Sequence, residues 1–187
     1  MASKLSILGF AGSLRQGSYN SALLRAAQEM VPSEVNLEIF DLAGIPPFNQ
    51  DLENRPAERV MEFKEAIRTA GALLIATPEY NYSMPGVLKN ALDSASRPYG
   101  DNALDGKPVA IMGASVGMLG TARAQYHLRQ SCVFLNMHPL NRPEVMVPFA
   151  QEKVDEQGRL TDSKTREKIK ELLEALILWA RRLNPET

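Results

Sequence analysis

The chain has 187 residues, 44% of them apolar and 23% charged, with a formal net charge of -1, one cysteine and two histidines. That length suits one domain, because single cores commonly serve ~100–200 residues, and no apolar run approaches the ~20 residues that cross a bilayer. Cys132 alone excludes an internal disulfide and a cysteine zinc site, and the near-zero charge argues against a bulk grip on nucleic acid or an acidic membrane. Residues 1–8 carry no secretory pattern, so a cytoplasmic location is the default expectation. With so few Cys and His residues, an enzyme built on this chain would be expected to borrow its chemistry from a cofactor.

The elements alternate along the chain. An apolar strand over 5–11 runs into the turn-rich GSLRQGSYN and a helix over 21–30. A half-exposed strand follows over 35–42, then a long loop over 43–55 and a helix over 56–70 with Pro56 in its first turn. The almost wholly apolar 72–77 suits a strand covered on both faces. The loop PEYNYSMPG, a helix over 87–94 and a second buried strand over 109–114 come next. SVGMLG, a helix over 121–134, a short strand within 143–148 and a helix over 162–183 with a single apolar stripe complete the order. Five strands separated by helices predict an α/β fold with a parallel sheet covered on both faces, because parallel neighbours need crossovers. Ligands of such sheets sit beyond the carboxyl ends of the strands, where GSLRQGSYN, PEYNYSMPG and SVGMLG should converge.

The first loop offers Ser13, Arg15, Ser18 and Asn20, two glycines and a helix start whose free N–H groups favour an anion. Gly12 and Gly17 have the spacing of a nucleoside-triphosphate loop, but Ser18 and Tyr19 stand where that motif needs Lys and Ser/Thr. A terminal monophosphate therefore fits better than a triphosphate, and the dinucleotide pattern G-x-G-x-x-G is absent. A structural turn with a helix cap is the plainer reading. In the second loop, Tyr80, Tyr82 and the successive N–H groups from Glu79 to Asn81 could border a planar heterocycle. The plainer reading there is a connecting turn whose tyrosines cover a core edge or a subunit contact. Ser115, Gly117 and Gly120 make the third loop small enough for close approach, although any such turn can be glycine-rich.

Taken together, GSLRQGSYN, PEYNYSMPGVLKNALD and GASVGMLGTARAQYHLRQ resemble the NADPH-dependent FMN reductase family, in its branch of quinone, azo-dye and chromate reductases. The resemblance covers nearly the whole chain and implies one flavodoxin-like FMN-binding domain over 1–187. It further implies non-covalent FMN, NADPH or NADH as co-substrate, a small-molecule electron acceptor such as a quinone, an azo compound or chromate, and a homodimer or homotetramer. Position by position, Ser13, Arg15, Ser18 and Asn20 match the phosphate loop, with Gly17 and Tyr19 contributing backbone. Pro78, Glu79, Tyr80 and Asn81 match the segment bordering the isoalloxazine, and Ser115 with Gly117 matches the third loop. Thr121 is a departure, since relatives often carry a second glycine after Gly120.

The flavin carries such chemistry, so no protein acid, base or metal is expected to be catalytic. Hydride passes from NAD(P)H through FMN to the acceptor at one face, with Tyr82 a candidate for the acceptor pocket. The rival reading is a non-enzymatic flavodoxin-type electron carrier, whose acidic surface this nearly neutral chain lacks. A nucleotide-binding domain without flavin suffers from the missing loop lysine. Cys132 reads as a buried inert thiol, His127 and His138 lack metal-ligand partners, and Trp179 reads as packing or interface. Asp41, Asp51, Glu53 and Glu58 read as solvated charges. Arg123, Tyr126 and Arg129 share a helix surface, and Arg123, Tyr126 and Glu144 are candidates for an oligomer interface.

Overall fold

The computed structural model describes residues 4–184. Strand β1 (Leu5–Ala11) leads to α1 (Tyr19–Met30), β2 (Val35–Phe40) to α2 (Glu58–Thr69), β3 (Ala72–Ala76) to α3 (Gly86–Ala95), and β4 (Pro108–Ala114) to α4 (Ala122–Phe134). Two short strands, β5 (His138–Pro139) and β6 (Val145–Val147), precede the long helix α5 (Ser163–Leu183). All pairings are parallel, in the order β2-β1-β3-β4-β5, with β6 also on β4. The sheet is thus five positions wide, and its last position is filled in two pieces. His138 and Pro139 pair with the start of β4, and Val145–Val147 with its end. Prolines at 139 and 143 have no N–H to donate to a ladder, which accounts for a break that the single strand expected within 143–148 does not include.

Strand alternation sorts the core into two layers. Ile7, Leu74, Ala76, Ala110 and Met112 face one layer, closed by Leu23, Leu24 and Ala27 of α1 and by Ile169, Leu172, Leu173, Leu176 and Ala180 of α5. Leu8, Phe10, Leu73, Ile75, Val109 and Ile111 face the other, closed by Phe63 and Ile67 of α2, Leu88 and Leu92 of α3, and Leu128 and Cys132 of α4. Both faces are dry, as the continuous apolar runs of β3 and β4 require. β2 keeps the in-out pattern of an edge strand.

Several ends differ from the sequence reading for local reasons. Helix α1 begins at Tyr19 rather than 21, because Ser18 caps it, accepting from the Ser21 N–H at 3.3 Å. β2 stops at Phe40 because Asp41 turns the chain, its Oδ1 accepting from the Ala43 N–H at 2.9 Å. Pro56 lies before the cap of α2, not in its first turn, and the cap is Ala57. Asp162 stands outside α5 as its cap, accepting from the Thr165 N–H at 2.8 Å and the Thr165 hydroxyl at 2.6 Å. Trp179 ties α5 to β5 by donating from Nε1 to the His138 carbonyl at 2.9 Å. No helix among the described residues is long and apolar enough to cross a membrane.

Candidate active site

Strand order reverses between β1 and β3, and a crevice opens there because the first and second loops leave in opposite directions. The Gly12 N–H bonds the Ala76 carbonyl at 2.9 Å, and the Thr77 N–H bonds the Met112 carbonyl at 2.9 Å, so the strand ends that launch the loops are locked side by side. A Cβ on Gly12 would meet Leu88 at 3.1 Å, which is why glycine serves where the first loop presses on α3.

The resulting cleft has a volume of about 300 Å³. Its walls carry Ser13, Arg15, Ser18, Tyr19, Asn20, Pro78, Glu79, Tyr80 and Ser115 from the expected set, joined by Ala114 and Val116, which sequence reasoning did not single out. Gly17, Asn81 and Gly117 sit on the same three loops without lining the cleft. Tyr82 does not line it either and stands out into solvent at 68% exposure. A second hollow of about 190 Å³ lies between residues 46–57 and helices α2 and α3, away from all three loops.

One end of the cleft presents free donors of the kind an anion takes. The Tyr19 and Asn20 N–H groups at the start of α1 have no protein acceptor among the described residues, and the Arg15 guanidinium hovers 4.9 Å from the centre of the Tyr19 ring. Asn20 differs from the expectation of a side-chain phosphate ligand in what its amide does. That amide is buried and committed, donating to the Ala114 carbonyl at 3.0 Å and accepting from the Ala114 N–H at 2.9 Å. Asn20 therefore stitches the first loop to the end of β4, and only its backbone N–H is left to meet a ligand.

The second loop is a tight turn. Tyr80 and Ser83 exchange two backbone bonds of 3.0 Å each, and Asn81 and Tyr82 between them have φ of 49° and 64°. Positive φ at both central residues defines a type I′ turn, a conformation ordinary for Asn and strained for Tyr. Of the three successive N–H groups read from the sequence as a recognition edge, that of Tyr80 is spent inside the turn. Those of Glu79 and Asn81 keep no partner among the described residues.

The third loop is fixed by its glycines. Gly120 has φ of 55°, and a Cβ there would lie 2.7 Å from the backbone at Met146 and Val147. Thr121 adopts φ of 75°, the left-handed conformation a second glycine would take without cost, and is fully buried. It is accommodated because Gly113 of β4 leaves room, since a Cβ there would collide with the Thr121 Oγ1 at 2.0 Å. The Thr121 hydroxyl accepts from Gln125 Nε2 at 3.1 Å.

Other singled-out residues fall as follows. Cys132 is buried, and burial pushes its thiol up to about 11. Glu53 is not a solvated charge, since its side chain is 14% exposed and faces Arg97 at 4.0 Å. Arg129 is turned inward, donating to the Leu140 carbonyl at 3.0 Å. Tyr126 and Glu144 are exposed, while Arg123 is engaged within its own chain with Glu79 and Tyr82.

The donor set fits FMN: an anion end at the α1 N-terminus, and a wall of free N–H groups and tyrosine beside it for a planar ring. Residues 5–152 match the family model described as NADPH-dependent FMN reductase. The chain is 58% identical over 186 residues to an NAD(P)H-dependent FMN reductase of Pseudomonas aeruginosa, covering 98% of this chain and 99% of that one. It is 41% identical over 181 residues to a 2-hydroxy-1,4-benzoquinone reductase of a Burkholderia species, covering 97% and 98% respectively. Among solved structures, the NAD(P)H:(acceptor) oxidoreductase FerB from Paracoccus denitrificans superposes with a TM-score of 0.87 at 32% identity, over 95% of this chain and 98% of that one.

Proposed function

As the chain belongs to the NADPH-dependent FMN reductase family, an oxidoreductase family working with FMN and NAD(P)H, we propose that it reduces small quinone-like acceptors at the cleft between the three loops. The observation that carries this reading is the fringe of that cleft. Tyr80, Tyr82, Val116 and Met118 leave large apolar side chains in solvent at 53%, 68%, 61% and 74% exposure. Such a fringe offers a planar, weakly polar ring a place to lie and gives a charged metabolite little to hold. The named activity of the Burkholderia relative supports a quinone. Azo compounds, which also present planar, weakly polar rings, belong to the same proposal as acceptors at the same open face, whereas chromate, a small dianion, is not part of it.

Ser13, Arg15, Ser18 and the Tyr19 and Asn20 N–H groups hold the phosphate, with Gly17 giving the loop its path. Pro78 and the Glu79 and Asn81 N–H groups border the ring, where backbone donors favour developing negative charge. Ser115 and Gly117 close the third side, and Tyr82 takes the acceptor. Bound FMN supplies the hydride relay, so the chain's own part is to place both partners and to stabilise charge. The whole chain, 1–187, acts as one FMN-binding domain. A cytoplasmic location follows from the nicotinamide donor, an intracellular metabolite.

The test is the visible spectrum of the purified chain incubated with FMN, followed anaerobically by NAD(P)H and then by a benzoquinone. A yellow protein that NAD(P)H bleaches and the quinone restores, turnover after turnover, is expected. A colourless protein overturns the reading, and a yellow one indifferent to nicotinamide makes it an electron carrier.

A further inference from the structure

Helix α4 lacks a cap of its own. Its first flanking residue, Thr121, makes no side-chain bond to the helix start, and the first turn holds no acidic residue. The missing acceptor arrives from a different loop. Glu79 places Oε2 3.0 Å from the Arg123 N–H and 3.2 Å from the Ala124 N–H, the very donors an ordinary N-cap would take. Its Oε1 lies 3.2 Å from Arg123 Nε, an ion pair whose angle falls short of a hydrogen bond. The Arg123 guanidinium then covers the Tyr82 ring at 3.5 Å, and His127 Nδ1 meets the Ser83 hydroxyl at 2.9 Å. These polar and cation-π contacts between the second loop and α4 run through Glu79 and the strained turn that follows it.

We propose that Glu79 is a positioning residue for the flavin: its carboxylate clamps the turn at residues 80–83 to the N-terminus of α4, and Arg123 balances its charge beside the cofactor. The proposal rests on the reading of the cleft as the FMN site. Three features make it more than a cap. The Glu79 side chain is 12% exposed and lines the cleft, so its charge lies within reach of the bound ring. Tyr82 holds a left-handed backbone that an aromatic residue does not choose freely, and the Arg123 face is what rests on it. The clamp also ties together the loop that borders the ring and the helix that leaves the third loop, so two walls of the cleft move as one piece.

Three variants of the full-length protein test this, each assayed by fluorescence titration with FMN and by the two-electron midpoint potential of the bound flavin. Glu79→Ala removes the clamp and is expected to weaken FMN about tenfold. Glu79→Gln keeps an oxygen for the two N–H groups and should bind FMN within about threefold of wild type. Losing a negative charge beside the ring, it should favour the reduced flavin by up to about tenfold, a rise of about 30 mV. Arg123→Gln leaves the carboxylate unbalanced and should move the potential the other way. A purely structural cap would lower thermal stability and leave the potential where it was. If Glu79→Ala does not fold, the opposite shifts of Glu79→Gln and Arg123→Gln still decide. Wild-type affinity in Glu79→Ala, or potentials unmoved or moved in one direction in the other two, overturns the proposal alone. A wild type that takes up no FMN overturns it together with the reading of the site.

Discussion

Arg15 is exposed on the first loop, with its guanidinium held near the Tyr19 ring and no protein acceptor for its own donors among the described residues. A guanidinium so placed is free to take a phosphate at the α1 N-terminus. Arg15→Ala is expected to remove a charge-assisted contact of about 1.5–3 kcal/mol, hence to weaken FMN roughly ten- to hundredfold by fluorescence titration. Unchanged affinity would move the phosphate elsewhere. Gly120 is constrained differently, by both conformation and space. Gly120→Ala must hold φ near 55° and push backbone at Met146 and Val147 that stands 2.7 Å from the new methyl. A loss of about 2–3 kcal/mol in urea unfolding is expected, accompanied by weaker FMN because the third loop shifts with it. Thr121→Gly next door relieves the left-handed φ but empties a buried site and removes the acceptor of Gln125 Nε2, so the two effects oppose each other and its net loss should be smaller than that of Gly120→Ala. Neither the Thr121 conformation nor the room made for it by Gly113 is visible in the order of residues, because both depend on contact between a strand and a loop that follows it.

Two element-level contacts set how the helices seat. Lys64 of α2 is buried, and its ammonium is shared by the Arg97 carbonyl and Asp101 Oδ2, the latter at 2.6 Å, while Arg68 takes the other carboxylate oxygen. Asp101→Ala leaves a buried ammonium with one carbonyl. Because the Asp101 side chain is half exposed, the expected loss is about 2 kcal/mol in chemical denaturation, below the ~3–5 kcal/mol of a fully buried pair. Asp162 caps α5, and its bonds to the Thr165 hydroxyl and N–H hold its carboxyl below the usual value. A depressed folded-state pKa stabilises above the unfolded value of ~3.9 and loses that contribution as pH falls through the folded one. Asp162→Asn keeps an acceptor at the cap and removes the titration, so its unfolding midpoint should fall less steeply than wild type below pH ~4, at nearly equal stability near pH 7. The helices and buried strands were legible in sequence because period and length speak for themselves at 72–76, 108–114 and 163–183. The convergence of the three loops on one cleft was legible because each follows a strand of a parallel sheet. What was not legible is long-range or short: a strand of two residues at His138–Pro139, a carboxylate that caps a helix 44 positions onward, a turn with Tyr82 as one of its two central residues, and a Glu53 drawn inward by Arg97. None of these leaves a periodic trace.

At the scale of the molecule, the near-zero charge and the distribution of apolar surface point the same way. A protein steered toward another by charge would carry a field, and -1 over 187 residues supplies almost none. Contact surface must then come from apolar groups, and α4 presents them. Its inner face buries Ala124, Gln125, Leu128 and Cys132, whereas Tyr126, Val133 and Phe134 stand 53%, 80% and 76% exposed. Tyr82, Met118 and Leu119 extend the exposed apolar surface toward the cleft. A helix apolar on both faces is ordinarily covered on both, and a second copy of the chain is the proposed cover, with Tyr126 and Glu144 free to cross the contact and Arg123 at its edge. Light scattering should then give twice or four times the chain mass, independent of dilution through the micromolar range. Tyr126→Glu combined with Phe134→Glu places two charges in the contact and should release monomers, with the circular dichroism of the fold retained because neither side chain belongs to the core. Since Tyr82 and the fringe of the cleft adjoin this face, the released monomer should also bind FMN more weakly. A wild-type protein with the mass of one chain at every concentration would leave α4 a bare apolar surface and remove the proposed contact.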